Sequence, residues 1–270
     1  MSLDPIAQRG IVLLGCGRMG SALLAGWLAR GLAPQHVHVI DPAPSDWLSK
    51  LGVHLNAPLP DAPAVVLLAV KPQMMGDALP AIAAFGGGGT LFLSIAAGTM
   101  LARFEESLGR QSPIIRAMPN TPAAVGRGIT ALIGNARTSD ADMVLAEALM
   151  QAVGATLRLE SEAQMDAVTA LSGSGPAYVF HLIEAMAAAG EAQGLAPDMA
   201  MQLARATVTG AAELAHQAPE SAATLRENVT SPGGTTAAAL EVLREPATGL
   251  APLMARAIAA ATARSKGLSQ

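Results

Sequence analysis

A glycine-rich hexapeptide near the start of the chain has the spacing of a phosphate-binding turn. Gly15, Gly17 and Gly20 follow the apolar run Ile11–Leu14 and lead into a segment with helical periodicity, residues 21–28. A buried strand, a glycine turn and a helix N-terminus in this order present unpaired backbone N–H groups and the positive end of a helix dipole to an anion. The hexapeptide therefore predicts a pyrophosphate site in a dinucleotide-binding fold.

The residues after the hexapeptide support this interpretation. Val37–Ile40 has the composition of a second strand, and Asp41 follows Gly20 by about the 20 residues at which an acidic side chain meets the adenosine ribose. The alternative is a glycine turn that only lets a helix and a strand pack closely. The strand, the helix and the acidic residue together favour the dinucleotide.

A second stretch, Ser231–Thr236, combines a glycine turn with hydroxyl residues and is followed at once by an alanine-rich segment with helical propensity. Free N–H groups at such a helix start, together with the hydroxyls, can bind a small carboxylate. Ordinary N-capping by Thr235 or Thr236 would explain the same residues without a ligand. The stretch alone leaves both interpretations open.

Other candidates carry weaker signals. Lys71 and Arg116 each end a predicted strand and could meet a phosphate or carboxylate, while the Gly- and Pro-rich stretch Leu171–Pro176 could hold an anion or simply bend a helix. His181 and Glu184 lie three residues apart on a predicted helix, which favours an interface pair over an acid–base couple. The remaining histidines show no metal-ligand spacing: His36, His38, His54 and His216. No nucleophile–base set or carboxylate pair emerges, as expected where hydride transfer needs positioning more than strong acids or bases.

The elements that must position these residues change in kind along the chain. Up to about Glu160, short apolar runs predict the strands of a parallel sheet, and three of them end in loops that should line one cleft. From Ser161 onward only helical patterns occur. We therefore predict an α/β domain over residues 1–160 and an all-α domain over 161–270. The predicted strands and later helices are 11–14, 37–40, 64–70, 90–95, 114–117, 129–133 and 156–159, then 176–193, 197–217, 222–228, 236–244 and 252–266.

Composition narrows the functional classes. Of the 270 residues 51% are hydrophobic and only 14% charged, which is more apolar surface than a small monomer needs to bury and indicates oligomerisation. A net charge of −4 with 3% aromatics argues against nucleic-acid binding. The single cysteine, Cys16, excludes an intramolecular disulfide framework, and Pro80 with Gly86–Gly89 interrupts the longest uncharged run. We expect a cytoplasmic protein that does not enter a membrane.

Six motifs, taken in order, resemble those of the pyrroline-5-carboxylate reductase family over nearly the whole chain. The last of them, Ser231–Thr236, is the most specific. The six motifs span residues 15–20, 70–72, 94–98, 116–122, 171–178 and 231–236.

This resemblance implies an oxidoreductase acting on CH–NH donors, which reduces the cyclic imine 1-pyrroline-5-carboxylate to L-proline with NADPH or NADH in the last step of proline biosynthesis. It implies a Rossmann domain followed by an all-α dimerisation domain, in a homodimer that can assemble into a ring of dimers, a decamer. The complete site would then lie between one subunit's nucleotide cleft and the other subunit's Ser231–Thr236 loop.

The resemblance also assigns residues. Ser231 and the backbone N–H groups of Gly234 and Thr235 would hold the substrate carboxylate, and Thr236 would hydrogen-bond the imine nitrogen. Backbone around Lys71 and Ala97 would position the nicotinamide. The implied cofactor-binding residues are Gly15, Cys16, Gly17, Arg18, Met19, Gly20, Asp41, Asn56, Val70, Lys71, Pro72, Ala96, Ala97 and Gly98.

One residue departs from the family pattern. Members that prefer NADPH tend to carry neutral or basic residues after the second strand, where this chain has Asp41. A carboxylate there accepts from both ribose hydroxyls and repels a 2′-phosphate, so we expect NADH to be favoured.

Two alternatives remain. The β-hydroxyacid dehydrogenases share the glycine motif but place a catalytic lysine in the helix after a Ser-Gly motif. Residues 176–184 contain no lysine, which argues against this class. A non-catalytic dinucleotide-sensing protein would need the cleft but not the Ser231–Thr236 loop.

Overall fold

The computed structural model describes residues Leu3–Leu268, which divide into two compact units. The first runs to Gly173 and includes the end of the last helix from Thr262, and the second is Ser174–Ala261.

The first unit is built on an eight-stranded sheet whose strands are short and mostly buried on both faces. The order β3-β2-β1-β4-β5-β6-β7-β8 begins as the order typical of dinucleotide-binding sheets, with β1 to β6 parallel and β7 antiparallel to β6. The strands are β1 Ile11–Leu14, β2 Val37–Ile40, β3 His54–Leu55, β4 Val65–Leu68, β5 Leu91–Ser94, β6 Ile114–Met118, β7 Gly128–Gly134 and β8 Gly154–Arg158.

Helices cover both faces of this sheet. One face packs on Trp27, which is fully buried and donates its indole N–H to the Leu149 carbonyl oxygen at 2.9 Å. The other packs on Phe104 and its neighbours. The helices of this unit are α1 Asp4–Arg9, α2 Arg18–Ala29, α3 Met75–Ala78, α4 Leu101–Leu108, α5 Asp140–Met150 and α6 Met165–Val168.

The second unit contains helices without strands in the described chain, as predicted. Its buried hydrophobic cluster consists of only three alanines, Ala187, Ala200 and Ala204. Large side chains such as Phe180, Leu203 and Val242 are 61%, 52% and 73% exposed. Its helices are α7 Gly175–Ala192, α8 Pro197–Gln217, α9 Ala222–Asn228, α10 Thr235–Leu243 and α11 Leu250–Leu268, whose last turns belong to the first unit.

Candidate active site

The glycine hexapeptide forms the turn between β1 and α2. Gly15 has a φ of +87°, a conformation that strains any residue with a side chain, and Gly17 is the N-cap of α2. No side chain caps this helix within the part of the chain that the structure describes. The first N–H groups of α2 are therefore available to an anion, as the sequence predicts.

The three glycines serve different purposes. A Cβ added at Gly15 would lie 2.9 Å from Val70 Cγ1, and one at Gly20 would lie 2.8 Å from the Gly15 carbonyl oxygen, so both positions permit close packing. A Cβ at Gly17 would meet nothing within 4 Å. Gly17 thus leaves open space beside bare backbone, which is the requirement of a pyrophosphate that approaches the chain closely.

Cys16, between the first two glycines, is a buried thiol. Its Sγ lies 3.5 Å from Ser21 Oγ, and burial raises the pKa of the thiol. Because the thiolate is the reactive form, this environment makes Cys16 a packing residue of the turn.

Asp41 closes the turn from the end of β2. Its Oδ2 accepts from the Cys16 N–H at 2.8 Å and its Oδ1 accepts from the Ala43 N–H at 2.9 Å. Asn56, with φ +49°, donates its amide to the Asp41 carbonyl oxygen and accepts from the Asp41 N–H. Asp41, predicted to contact the ribose, and Asn56, an implied cofactor-binding residue, are therefore preassembled next to the glycine turn, and each oxygen of the Asp41 carboxylate retains acceptor capacity for a hydroxyl.

The predicted nicotinamide loops leave neighbouring strands at the same edge of the sheet. Val70, Lys71 and Pro72 follow β4, and residues 96–98 follow β5, its parallel neighbour. Lys71 and Ala97 are exposed at this edge. A groove of about 930 Å³ opens beside the two loops, and both Pro72 and Gly98 line it.

The stretch Ser231–Thr236 forms the start of α10 in the second unit. Gly234 is the N-cap and its N–H donates to the Ser231 carbonyl oxygen at 3.0 Å, but no described side chain caps the helix. Its first backbone hydrogen bond runs from the Ala238 N–H to the Gly234 carbonyl oxygen. Capping by Thr235 or Thr236, the alternative reading of this stretch, is therefore wrong, and the N–H groups of the first turn remain available to a carboxylate.

Three weaker candidates have structural explanations. Arg116 is 6% exposed and donates to Glu162, so its charge is balanced inside the protein and its suggested role in anion binding is not supported. His181 Nδ1 lies 3.1 Å from Glu184 Oε2 on an exposed helix face. Residues 171–173 belong to the π-helical turn Thr169–Gly173 that precedes α7, which fits a bend in the helix.

Sequence reasoning missed Glu162, which follows β8. Its one local signal is the pattern Ser161-x-x-Gln164, a capping box in which Gln164 Oε1 accepts from the Ser161 N–H. Within Leu3–Leu268, no three metal-ligating side chains are grouped to hold an ion, and no helix is both long and apolar enough to span a bilayer.

Comparisons with known proteins agree with this geometry. A family model described as pyrroline-5-carboxylate reductase dimerisation matches residues 162–268, and one described as NADP oxidoreductase, coenzyme F420-dependent, matches residues 10–98. The chain is 40% identical to pyrroline-5-carboxylate reductase of Pseudomonas aeruginosa, covering 96% of this chain and 97% of that one. It is 37% identical to the Arabidopsis thaliana enzyme of the same name over the full length of both.

Solved structures give the same result. A pyrroline-5-carboxylate reductase from Coxiella burnetii superposes with a TM-score of 0.91 at 36% identity, covering 97% of this chain and 99% of that one. The Plasmodium falciparum pyrroline carboxylate reductase, solved with NADP bound, has a TM-score of 0.81 at 28% identity over 97% and 98%. The predicted Rossmann-type domain with a helical dimerisation domain is confirmed, and this chain belongs to the pyrroline-5-carboxylate reductase family.

Proposed function

We propose that this protein reduces 1-pyrroline-5-carboxylate to L-proline, the last step of proline biosynthesis, as an oxidoreductase acting on a CH–NH bond. The observation that carries the proposal is the presence in one chain of two uncapped helix starts of different kinds. The first, at Gly17, has the space and backbone for a dinucleotide, and the second, at Gly234, suits a small carboxylate. The family membership names a reaction that uses both, the reduction of a small imino carboxylate by a dinucleotide.

Some residues of the chain bind the substrate, and others polarise its C=N bond. The reduced nicotinamide supplies the hydride that the imine carbon accepts. Ser231 and the N–H group of Thr235 fix the substrate carboxylate, and Thr236 directs its hydroxyl to the ring nitrogen. The Gly234 N–H, which the resemblance also assigned to the carboxylate, instead donates to the Ser231 carbonyl oxygen at 3.0 Å. As the C=N bond becomes a C–N bond, the nitrogen gains a proton from solvent or through Thr236, which balances the hydride. Preorganised donors of this kind stabilise charge without reorganising during the reaction.

We further propose that NADH is used better than NADPH. The Asp41 carboxylate is held in place by two backbone N–H groups, and a fixed anion there accepts from ribose hydroxyls but repels a 2′-phosphate. We expect kcat/KM to be about tenfold higher for NADH, which corresponds to about 1.4 kcal/mol.

The variant Asp41→Asn tests this cofactor preference. The amide keeps one acceptor oxygen for the backbone but removes the charge, so we expect the NADH/NADPH ratio of kcat/KM to fall by about tenfold. Steady-state kinetics with both cofactors measures the ratio, with Asp46→Asn, an exposed carboxyl in the loop after β2, as the control. A wild-type enzyme that prefers NADPH would contradict the proposal.

We also propose that the protein works as a homodimer that can assemble into a ring, with each site shared between two subunits. The exposed apolar side chains of the second unit and the matched dimerisation model support the dimer. We propose that the boundary between the dinucleotide-binding domain and the dimerisation domain lies near Glu160. The family model of the dimerisation domain, which matches from residue 162, supports this boundary. We propose a cytoplasmic location, and the chain has no intramolecular disulfide that would require an oxidising compartment.

A coupled pair of assays tests the activity. In one reaction the purified protein is mixed with NADH and pyrroline-5-carboxylate. In the other it is mixed with NAD⁺ and a β-hydroxyacid, and nicotinamide absorbance is followed in both. We expect NADH to be consumed with the imine and L-proline to accumulate in equal amount. NADH that binds, as seen by its fluorescence, without being oxidised by the imine would instead support a dinucleotide-sensing protein.

A further inference from the structure

Glu162 joins two segments that flank the proposed nicotinamide site. Its Oε1 accepts from the backbone N–H of Leu101 at 2.8 Å and from Arg116 Nη1. Leu101 is the first residue of α4, directly after the loop that follows β5, and Arg116 lies inside β6. One carboxylate oxygen therefore fixes the end of the nicotinamide loop against the neighbouring strand.

This loop is held at its beginning by its own strand and at its end by Glu162. The Ala96 N–H donates to Ser94 Oγ at 3.2 Å, which holds the beginning of the loop on its own strand. The N-cap of α4, Met100, has a side chain that cannot cap, so Glu162 takes the place of a capping residue from 61 positions away. Hydrogen bonds from a carboxylate to a backbone N–H are stronger than neutral ones and are favourable at a helix N-terminus.

Glu162 is itself held rigidly. The capping box of Ser161 and Gln164 fixes the turn that carries it, and the Arg116 guanidinium, with a side chain 8% exposed, offsets its charge. Four residues further on, Asp166 Oδ1 accepts from Ser265 Oγ at 2.7 Å, and Leu268 of the same last turn of α11 packs against Gly98. The segment after β8 thus supports the nicotinamide loop at both Leu101 and Gly98.

We propose that Glu162 is a positioning residue for hydride transfer, whose carboxylate sets where the loop of residues 96–100 holds the nicotinamide ring. The inference rests on the proposed function, because it requires this loop to carry the ring. Glu162 touches neither substrate nor cofactor in this role. A displacement of about 1 Å at the reacting atoms costs on the order of 100-fold in rate, so loss of this anchor should slow the hydride step.

The variants Glu162→Ala and Glu162→Gln form the first test. We expect Glu162→Ala to lower kcat by at least about tenfold and to increase the isotope effect with NADH deuterated at the transferred hydrogen, because hydride transfer becomes slower than product release. Glutamine keeps an acceptor for Leu101, so its kcat should stay within about threefold of wild type. Glu160→Ala removes an exposed carboxylate two residues before Glu162 and should change neither quantity.

A double variant separates positioning from stability. Removing Glu162 alone leaves Arg116 buried without its partner, which also lowers stability, whereas Arg116→Met with Glu162→Leu replaces the pair by apolar side chains and should restore the melting temperature. We expect the double variant to keep the low kcat and the increased isotope effect. A double variant that melts and turns over like wild type would overturn the inference. Failure of the proposed function would look different, because the wild-type protein itself would then not oxidise NADH with the imine.

Discussion

Replacing Thr236 with valine should lower kcat for imine reduction by about 100-fold, with a much smaller change in the KM for NADH. Thr236 lies in the first turn of α10, where the backbone N–H groups can hold a carboxylate while the hydroxyl is directed at the ring nitrogen. Valine keeps the shape of threonine and removes only the donor, and loss of one preorganised donor typically costs 10²- to 10³-fold. Steady-state kinetics with pyrroline-5-carboxylate measures the change.

Thr236→Ser is the matched control, since serine retains the hydroxyl and loses one methyl group. We expect it to keep kcat within several-fold of the wild-type value. If both the valine and the serine variant have the wild-type kcat, the ring nitrogen takes its proton from solvent alone, and Thr236 has no part in the chemistry.

The largest effect on cofactor binding is expected from Gly17→Ala. The backbone of Gly17 has φ −70° and ψ −161°, which alanine adopts without strain, and the added Cβ would meet no protein atom within 4 Å. The methyl group would instead occupy the space through which a pyrophosphate reaches the start of α2. We expect the Kd for NADH to rise by about 100-fold, or about 2.8 kcal/mol, while the melting temperature stays unchanged.

Gly89→Ala provides the comparison for this variant. Gly89 precedes β5 at the opposite edge of the sheet, and a Cβ there would also meet nothing within 4 Å. Titration of NADH fluorescence and thermal unfolding should therefore show wild-type behaviour. A Gly17→Ala protein that binds NADH normally would place the pyrophosphate elsewhere.

These two variants together test whether sites are shared between subunits. A mixed dimer of a Gly17→Ala chain and a Thr236→Val chain would contain one site with both defects and one with neither, if each site combines two subunits. Random reassembly of equal amounts should then restore about a quarter of the wild-type activity. No restoration, with exchange verified by mass spectrometry, would place each site within one chain.

Local patterns were sufficient to predict most of the secondary structure. The runs Ile11–Leu14 and Val37–Ile40 are strands with the predicted bounds, and α8 and α9 also match residue for residue. These segments are flanked by glycine, proline or capping residues, which mark their ends in the sequence. The predicted strand at 64–70 is shorter, Val65–Leu68, because its last residues turn into the loop before Pro72.

Long-range contacts were not accessible in the same way. Arg116 was a candidate for anion binding because it is a cationic residue near the end of a predicted strand. In the structure, the pairing of β6 and the turn after β8 bring Glu162, 46 residues later, against its guanidinium. Likewise, Asp41 was expected to bind a ribose, and its bond to the Cys16 N–H depends on the parallel pairing of β1 and β2. The hydrogen-bond partners of Arg116 and Asp41 both depend on the order of the strands in the sheet. That order cannot be derived from the spacing of the motifs.

The three-alanine cluster of the second unit makes the stability of this unit depend on protein concentration. A group of helices that encloses so little apolar surface within one chain gains most of its folding free energy by association. Folding of this unit and assembly are then one equilibrium, and the melting temperature of the second unit rises with protein concentration.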